Sequence, residues 1–149
     1  MRRARTLLGT ATAATFLALV ALAPAGLPDA RVLGYSPADI AQWAADPQMR
    51  ARAMGPLFWL DMVFPALLAG FMLMLLAPGW RRGLPLAYGA LDYAENLVLR
   101  VYYAGHDAGA VLSPGASALT QAKWAALAVA SVMIIWPRLV RQGRAGGAR

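Results

Sequence analysis

Residues 84–104 read LPLAYGALDYAENLVLRVYYA. A helix needs about 20 predominantly apolar residues to cross a bilayer, and this stretch is long enough. Yet it carries Asp92, Glu95, Asn96 and Arg100. In a helix, positions three and four apart share a face. Tyr88, Asp92, Glu95, Asn96, Leu99 and Tyr103 then form one stripe, with Arg100 on its flank. Leu86, Ala87, Ala90, Ala94, Leu97, Val98 and Val101 cover the opposite side without a polar side-chain atom. The pattern predicts a helix with a lipid face and an inward face. Ionisable residues inside a span are costly, turn toward the protein interior and mark a functional site by default. The residues locate a site but name no reaction or ligand.

The composition agrees with a membrane setting. Of 149 residues, 60% are hydrophobic and only 14% are charged, which suits a small integral membrane protein better than a soluble domain. There is no cysteine, so disulfides, thiolate metal sites and thiol chemistry are excluded. The net charge of +7 does not imply nucleic acid, because the arginines stand at the ends of apolar runs. No phosphate-binding Gly-rich loop, zinc spacing or GxSxG is present, and no cofactor is implied.

On the N-terminal side of the central stretch lies a second span, 57–77. Asp61 is one turn into it and Pro65 follows four residues later. Proline lacks an N–H, so the carbonyl of Asp61 loses its helical partner at the same level as an acid. Residues 78–83, PGWRRG, make a tight basic turn into the third span. After it, the loop 105–115 holds His106 and Asp107; a lone loop histidine is a surface residue more often than a ligand. The fourth span, 116–136, places Lys123 two turns in, with Leu119, Thr120, Ala126, Leu127, Ala130 and Ile134 on its face. Pro137 is expected to end it, leaving 138–149 as a basic, Gly-rich, disordered tail.

The chain opens with Arg2, Arg3 and Arg5, followed by an apolar run. This resembles a signal peptide, and Ala21-Leu22-Ala23 a cleavage site. The run exceeds the usual apolar region of about 7–15 residues, and Pro24 would follow the cut. An uncleaved first span over 6–24 is expected. Small residues at four-residue spacing (Thr10, Ala14, Ala18; Gly9, Ala13) would let another helix approach closely. The connector 24–55 holds Asp29, Asp39 and Asp46. Ser36 followed by Pro37 and Asp39 reads as a capped helix start, and Asp46-Pro47 repeats the pattern. Two short helices follow, with Ile40, Trp43 and Ala44 either on the bilayer interface or against the bundle end.

The expected fold is therefore all-α: a four-helix transmembrane bundle with short helices in the first extracytoplasmic loop. Orientation follows from the basic residues. The N-terminus, the Arg81-Arg82 turn and the tail (Arg138, Arg141, Arg144, Arg149) hold nine arginines. The two other loops hold Arg31, Arg50 and Arg52, and all four loop acids. That asymmetry predicts cytoplasmic termini. At about 1.5 Å rise per residue, Asp61, Asp92, Glu95, Arg100 and Lys123 reach neighbouring depths from three helices. The expected pairs are Lys123 with Glu95 or Asp92, and Arg100 with Asp61.

Asp61-Met62-Val63-Phe64-Pro65 near the start of one span, Leu91-Asp92-Tyr93-Ala94-Glu95-Asn96-Leu97 inside the next, and a lysine early in the last stand together over 34–136. In these motifs the chain resembles a group of uncharacterised bacterial four-helix integral membrane proteins. The resemblance implies a four-span fold in a bacterial cytoplasmic (inner) membrane with a shared polar constellation. It implies no activity.

Three functions fit a polar cluster of Asp61, Asp92, Glu95, Asn96, Arg100, Tyr103 and Lys123. The first is a structural or accessory subunit whose charges lock the bundle. The alternative is a binding protein or enzyme for a lipid or small amphiphile. There Glu95 or Asp92 would be the acid/base, Asn96 and Tyr103 would orient, and Lys123 or Arg100 would hold an anionic headgroup. The third is an ion or proton carrier working as an oligomer. The expected partners are the lipid bilayer, a lipid or small amphiphile, and a membrane protein or second copy.

Overall fold

A computed structural model of the chain describes residues 2–22, 31–104 and 108–146. Among these residues the fold is wholly helical: α1 (Arg2–Leu22), α2 (Pro37–Ala45), α3 (Pro47–Met54), α4 (Pro56–Leu75), a 3-10 turn (Trp80–Arg82), α5 (Gly83–Tyr103) and α6 (Ala108–Gly146). Three stretches are long and apolar enough to cross a membrane: Arg2–Leu22, Leu57–Leu75 and Gly115–Arg141. α5 is as long as α1, at 21 residues, and differs in carrying Asp92, Glu95 and Arg100. The central part of its stripe, from Tyr88 through Asp92, Glu95, Asn96 and Leu99 to Tyr103, is buried, whereas Leu86 and Leu97 are exposed. The helix is two-faced, as its periodicity predicts.

The long helices pack in chain order, each antiparallel to the last. α1 lies on α4, with Gly9 against Phe71, Leu8 against Gly70, and Phe16 and Phe64 ring centroids 5.8 Å apart. A Cβ on Gly9 would come within 3.0 Å of the Phe71 ring. The absent side chain is thus what allows the close approach. α4 meets α5 where Gly89 faces Ala69 and the Pro65 carbonyl. α5 and α6 share the most extensive interface. α1 stands outermost: Thr12 is its buried residue, while Leu7, Leu17 and Val20 are exposed. Thr12 and Thr15 fold their hydroxyls onto the Leu8 and Ala11 carbonyls at 2.8 and 2.9 Å. Back-bonding of this kind satisfies a hydroxyl within an apolar helix.

α2 and α3 form a small cap over one end of α5 and α6. Ser36 and Asp39 make a reciprocal capping box at the start of α2. The backbone N–H of Ser36 donates to the Asp39 carboxylate, and this bond above all holds that carboxyl below its ordinary range. Asp46 ends α2 and starts α3, its side chain accepting from the N–H of Gln48 at 2.8 Å. Ile40 and Trp43 are buried with Tyr35 and Met49 against Leu99, Tyr103 and Ala116. They therefore face the helix ends rather than lipid.

Two expectations from proline are corrected. α6 does not stop at Pro137, and the stretch expected to be a disordered tail is helical through Gly146. It also begins at Ala108, ahead of Pro114, where a loop is expected. Proline removes one donor but keeps a helical φ. A long helix therefore loses one hydrogen bond at each proline and runs on. His106, Asp107, Asp29 and the segment after Leu22 lie outside the described residues.

Candidate functional site: a buried ionic cluster between α5 and α6

Lys123 stands just under one turn beyond Thr120 on the inward face of α6, and its ammonium reaches across to α5. Its Nζ lies 2.6 Å from Asp92 Oδ1 and 2.6 Å from Glu95 Oε2. Asp92 and Glu95 are three residues apart, so one helical face presents both carboxylates to one cation. The side chains of Lys123, Asp92 and Glu95 are 3%, 6% and 1% exposed. At that burial a lone charge would be untenable, and mutual pairing is what makes the group compatible with the interior.

A second layer surrounds this triad. Thr120 donates its hydroxyl to Glu95 Oε1, and Tyr35 donates to the same oxygen at 3.2 Å. The Tyr35 and Thr120 oxygens are themselves 3.1 Å apart. Tyr35 belongs to the connector before α2, so the cluster ties the cap to the two long helices. The segment of chain leading to it is fixed on α6. The Tyr35 N–H donates to Ser117 Oγ at 3.0 Å, and Gln121 Nε2 donates to the Leu33 carbonyl at 2.9 Å. Between them Gly34 adopts φ +99°, a left-handed conformation, with Gln121 and Ser117 where a Cβ would go.

Asn96 extends the cluster to α4. Its Nδ2 donates to Asp92 Oδ2 at 3.3 Å and to the Asp61 carbonyl at 3.4 Å. That carbonyl is the one Pro65 deprives of its helical partner. The amide of a neighbouring helix thus supplies the missing donor. Asp61, half-buried, contributes its backbone to the cluster in this way.

Of the residues singled out by sequence, Asp92, Glu95, Asn96 and Lys123 meet directly. Arg100 is set against aromatic rings of α4. Its guanidinium lies over the Phe58 ring, 3.9 Å from the centroid, and 6.0 Å from that of Trp59. The aromatic face offers a cation attraction that also keeps the arginine half-desolvated. Tyr103 is buried in the apolar contact between α5 and the cap. Tyr35 is the contributor that periodicity cannot find, because it lies in a non-helical segment. Thr120 is within reach of such reasoning, being three residues before Lys123 on the same face. A shallow apolar groove lies elsewhere, along the start of α4, lined by Gly55, Trp59, Leu60 and Val63.

No protein-family model, curated protein or solved structure matches this chain.

Burial, reinforced by the nearby Glu95 carboxylate, raises the Tyr35 phenol above its ordinary value. A raised pKa in the folded state favours the neutral phenol there. Its stabilising contribution is complete below the unfolded value of about 10 and is lost as pH rises above it. Thermal unfolding in detergent should therefore show stability falling at strongly alkaline pH. Tyr35→Phe should be less stable at neutral pH by about 1 kcal/mol, one hydrogen bond's worth, with a shallower alkaline decline. An equally steep decline in Tyr35→Phe would remove this phenol from the explanation.

Proposed function

We propose that this chain is a small multi-pass membrane subunit with a structural or accessory role. In this reading α1, α4, α5 and α6 all cross the bilayer, α1 being retained as a span. α2 and α3 form an extracytoplasmic cap, and both termini face the cytoplasm of a bacterial inner membrane. The observation that carries it is the internal satisfaction of the cluster. Lys123 bridges two carboxylates, one of which also accepts from Tyr35 and Thr120, all within a buried contact. A binding or carrier site turns polar groups toward an open space. These groups turn toward one another and join α4, α5, α6 and the cap into one unit. The charge asymmetry of the loops supports the orientation. The loosely covered α1, with Leu7, Leu17 and Val20 exposed, supplies the face toward a membrane partner or second copy.

The absence of cysteine makes one set of variants informative. Leu33→Cys in the cap and Trp80→Cys in the basic turn introduce thiols at positions 92% and 73% exposed. In intact cells an impermeant maleimide should label the first and leave the second until the membrane is opened. Leu17→Cys on α1 should give one discrete cross-linked species in native membranes. The accessory reading fails if Leu17→Cys, and likewise Leu7→Cys and Val20→Cys, give no discrete adduct. The orientation fails if Trp80→Cys labels first.

A further inference from the structure

We infer that the end of the bundle opposite the cap binds anionic phospholipid of its own leaflet, with the phosphate on arginines from α1, the 3-10 turn and α6, and with Trp80 and Trp136 beside it. This goes beyond the structural role of the buried cluster, uses none of its residues and holds whichever way the chain faces across the membrane.

Three separate segments reach one level there. Thr120 bonds to Glu95 and Lys123 pairs with Asp92, so α6 climbs as α5 descends in matched steps. Trp136 follows Lys123 by thirteen residues and Trp80 precedes Asp92 by twelve, about 18–20 Å along the axis in both cases. The indoles of Trp136 and Trp80, 64% and 73% exposed, therefore stand at the same depth. Arg81 and Arg82 follow Trp80 in the 3-10 turn, and Arg138 and Arg141 follow Trp136 on α6; all four are exposed. On the other side of the bundle, Leu8 lies against Gly70 and Phe16 against Phe64. α1 thus runs antiparallel to α4, and its first turn, with Arg2, Arg3 and Arg5, falls beside the end of α4 at Leu75.

Among the described residues, no carboxylate is at hand to balance this charge. Asp39 and Asp46 belong to the cap, at the other end. Of the acids within the long helices Asp92 comes nearest, and it lies ten residues from Arg82, about 15 Å along α5 and beyond an arginine's reach. Guanidinium meets a phosphate bidentately, and Trp favours the membrane–water boundary where lipid phosphates lie. Toward the middle of the bundle the surface turns apolar at once: Leu7, Val132 and Ile135 are exposed on the same helices. A lipid uses both parts, its phosphate on the rim and its acyl chain on the apolar surface. A soluble anion or a nucleic acid uses the rim alone. Membrane orientation requires only a bias in the number of charges, whereas a headgroup layer requires a shared depth. Basic clusters at the end of a span draw anionic lipid in this way.

The test reconstitutes the full chain in vesicles of equal phosphatidylcholine and phosphatidylglycerol and counts retained lipids by native mass spectrometry. Phosphatidylglycerol should be retained several-fold over phosphatidylcholine. The paired variants Arg81→Gln with Arg82→Gln, and Arg138→Gln with Arg141→Gln, should each lower that preference several-fold. Arg31→Gln, at the cap end, should leave it unchanged. Unfolding curves matching the parent show that each variant is folded. A second measurement needs no arginine variant. Quenching of Trp136, taken as the difference between the parent and Trp136→Phe, should be several-fold stronger with bromine on the acyl chains of phosphatidylglycerol than on those of phosphatidylcholine. Equal retention or equal quenching by the two lipids overturns the site. So does a preference unchanged in both paired variants, or one that falls as far in Arg31→Gln. Displacement of phosphatidylglycerol by soluble glycerol phosphate or by a short RNA, as effectively as by more of the lipid, overturns the lipid assignment.

Discussion

Lys123→Met in the otherwise unaltered protein should lose about 3–5 kcal/mol of stability in detergent, the scale for removing one partner of a buried ion pair. Methionine keeps most of the apolar stem, so packing changes little. What disappears is the ammonium 2.6 Å from Asp92 and 2.6 Å from Glu95. Two carboxylates three residues apart on one helix face are then left opposed to each other and to a low-dielectric surrounding. The loss comes from this stranded charge rather than from any large net value of the pair itself. Buried pairs often do no better than apolar residues of the same volume. The triple variant Lys123→Met, Asp92→Asn, Glu95→Gln should accordingly regain more than half of the loss. Both amides fit the space, and Tyr35 and Thr120 can still donate to the carbonyl of the amide introduced by Glu95→Gln. Thermal denaturation of the parent, the single and the triple variant measures this directly. A triple variant no better than the single would mean that the lysine stem, not its charge, is what the helices require. A single variant as stable as the parent would sever Lys123 from the cluster.

The same contrast explains what the sequence can reveal. Asp92, Glu95, Asn96 and Lys123 are legible because helical periodicity alone brings the first three to one face. An inward cation on a neighbouring helix has few other places to go. The aromatic contacts of Arg100 escape such reasoning because matching opposite charges overlooks aromatic faces. Phe58 and Trp59 precede Asp61 by less than one turn, and their ring centroids lie 3.9 and 6.0 Å from the guanidinium. Tyr35 is hidden because a segment without periodicity gives no direction to its side chains; its position depends on Gly34 and on the bonds that Ser117 and Gln121 of α6 make to the backbone of Tyr35 and Leu33. The helix ends at Ala108 and Gly146 lie beyond the expected ones because proline is not a stop. It is one lost hydrogen bond, and a helix of 39 residues retains the rest. The long apolar stretches need no such inference, since length and hydropathy suffice.

Asn96→Leu should destabilise the protein by about 1–3 kcal/mol, the cost of leaving a buried acceptor without its donor. The reason lies in Pro65, on another helix. Proline at that position cannot donate to the Asp61 carbonyl, and Asn96 Nδ2 reaches it at 3.4 Å. The two residues are therefore a single device written on two helices, an interruption and its remedy. Pro65→Ala restores a backbone N–H where the helix lacks one, at the cost of a small void around a fully buried side chain. In that background the Asp61 carbonyl has an internal donor again, and Asn96 matters less. The penalty for Asn96→Leu should shrink by about half or more, because the remaining part is the Asp92 contact at 3.3 Å. A double-mutant cycle by thermal unfolding reads the coupling without needing an absolute energy for either change. Equal penalties in the parent and in the Pro65→Ala background would show that the asparagine serves Asp92 alone. A penalty confined to the parent, with Pro65 in place, would make the proline the reason an amide stands at position 96.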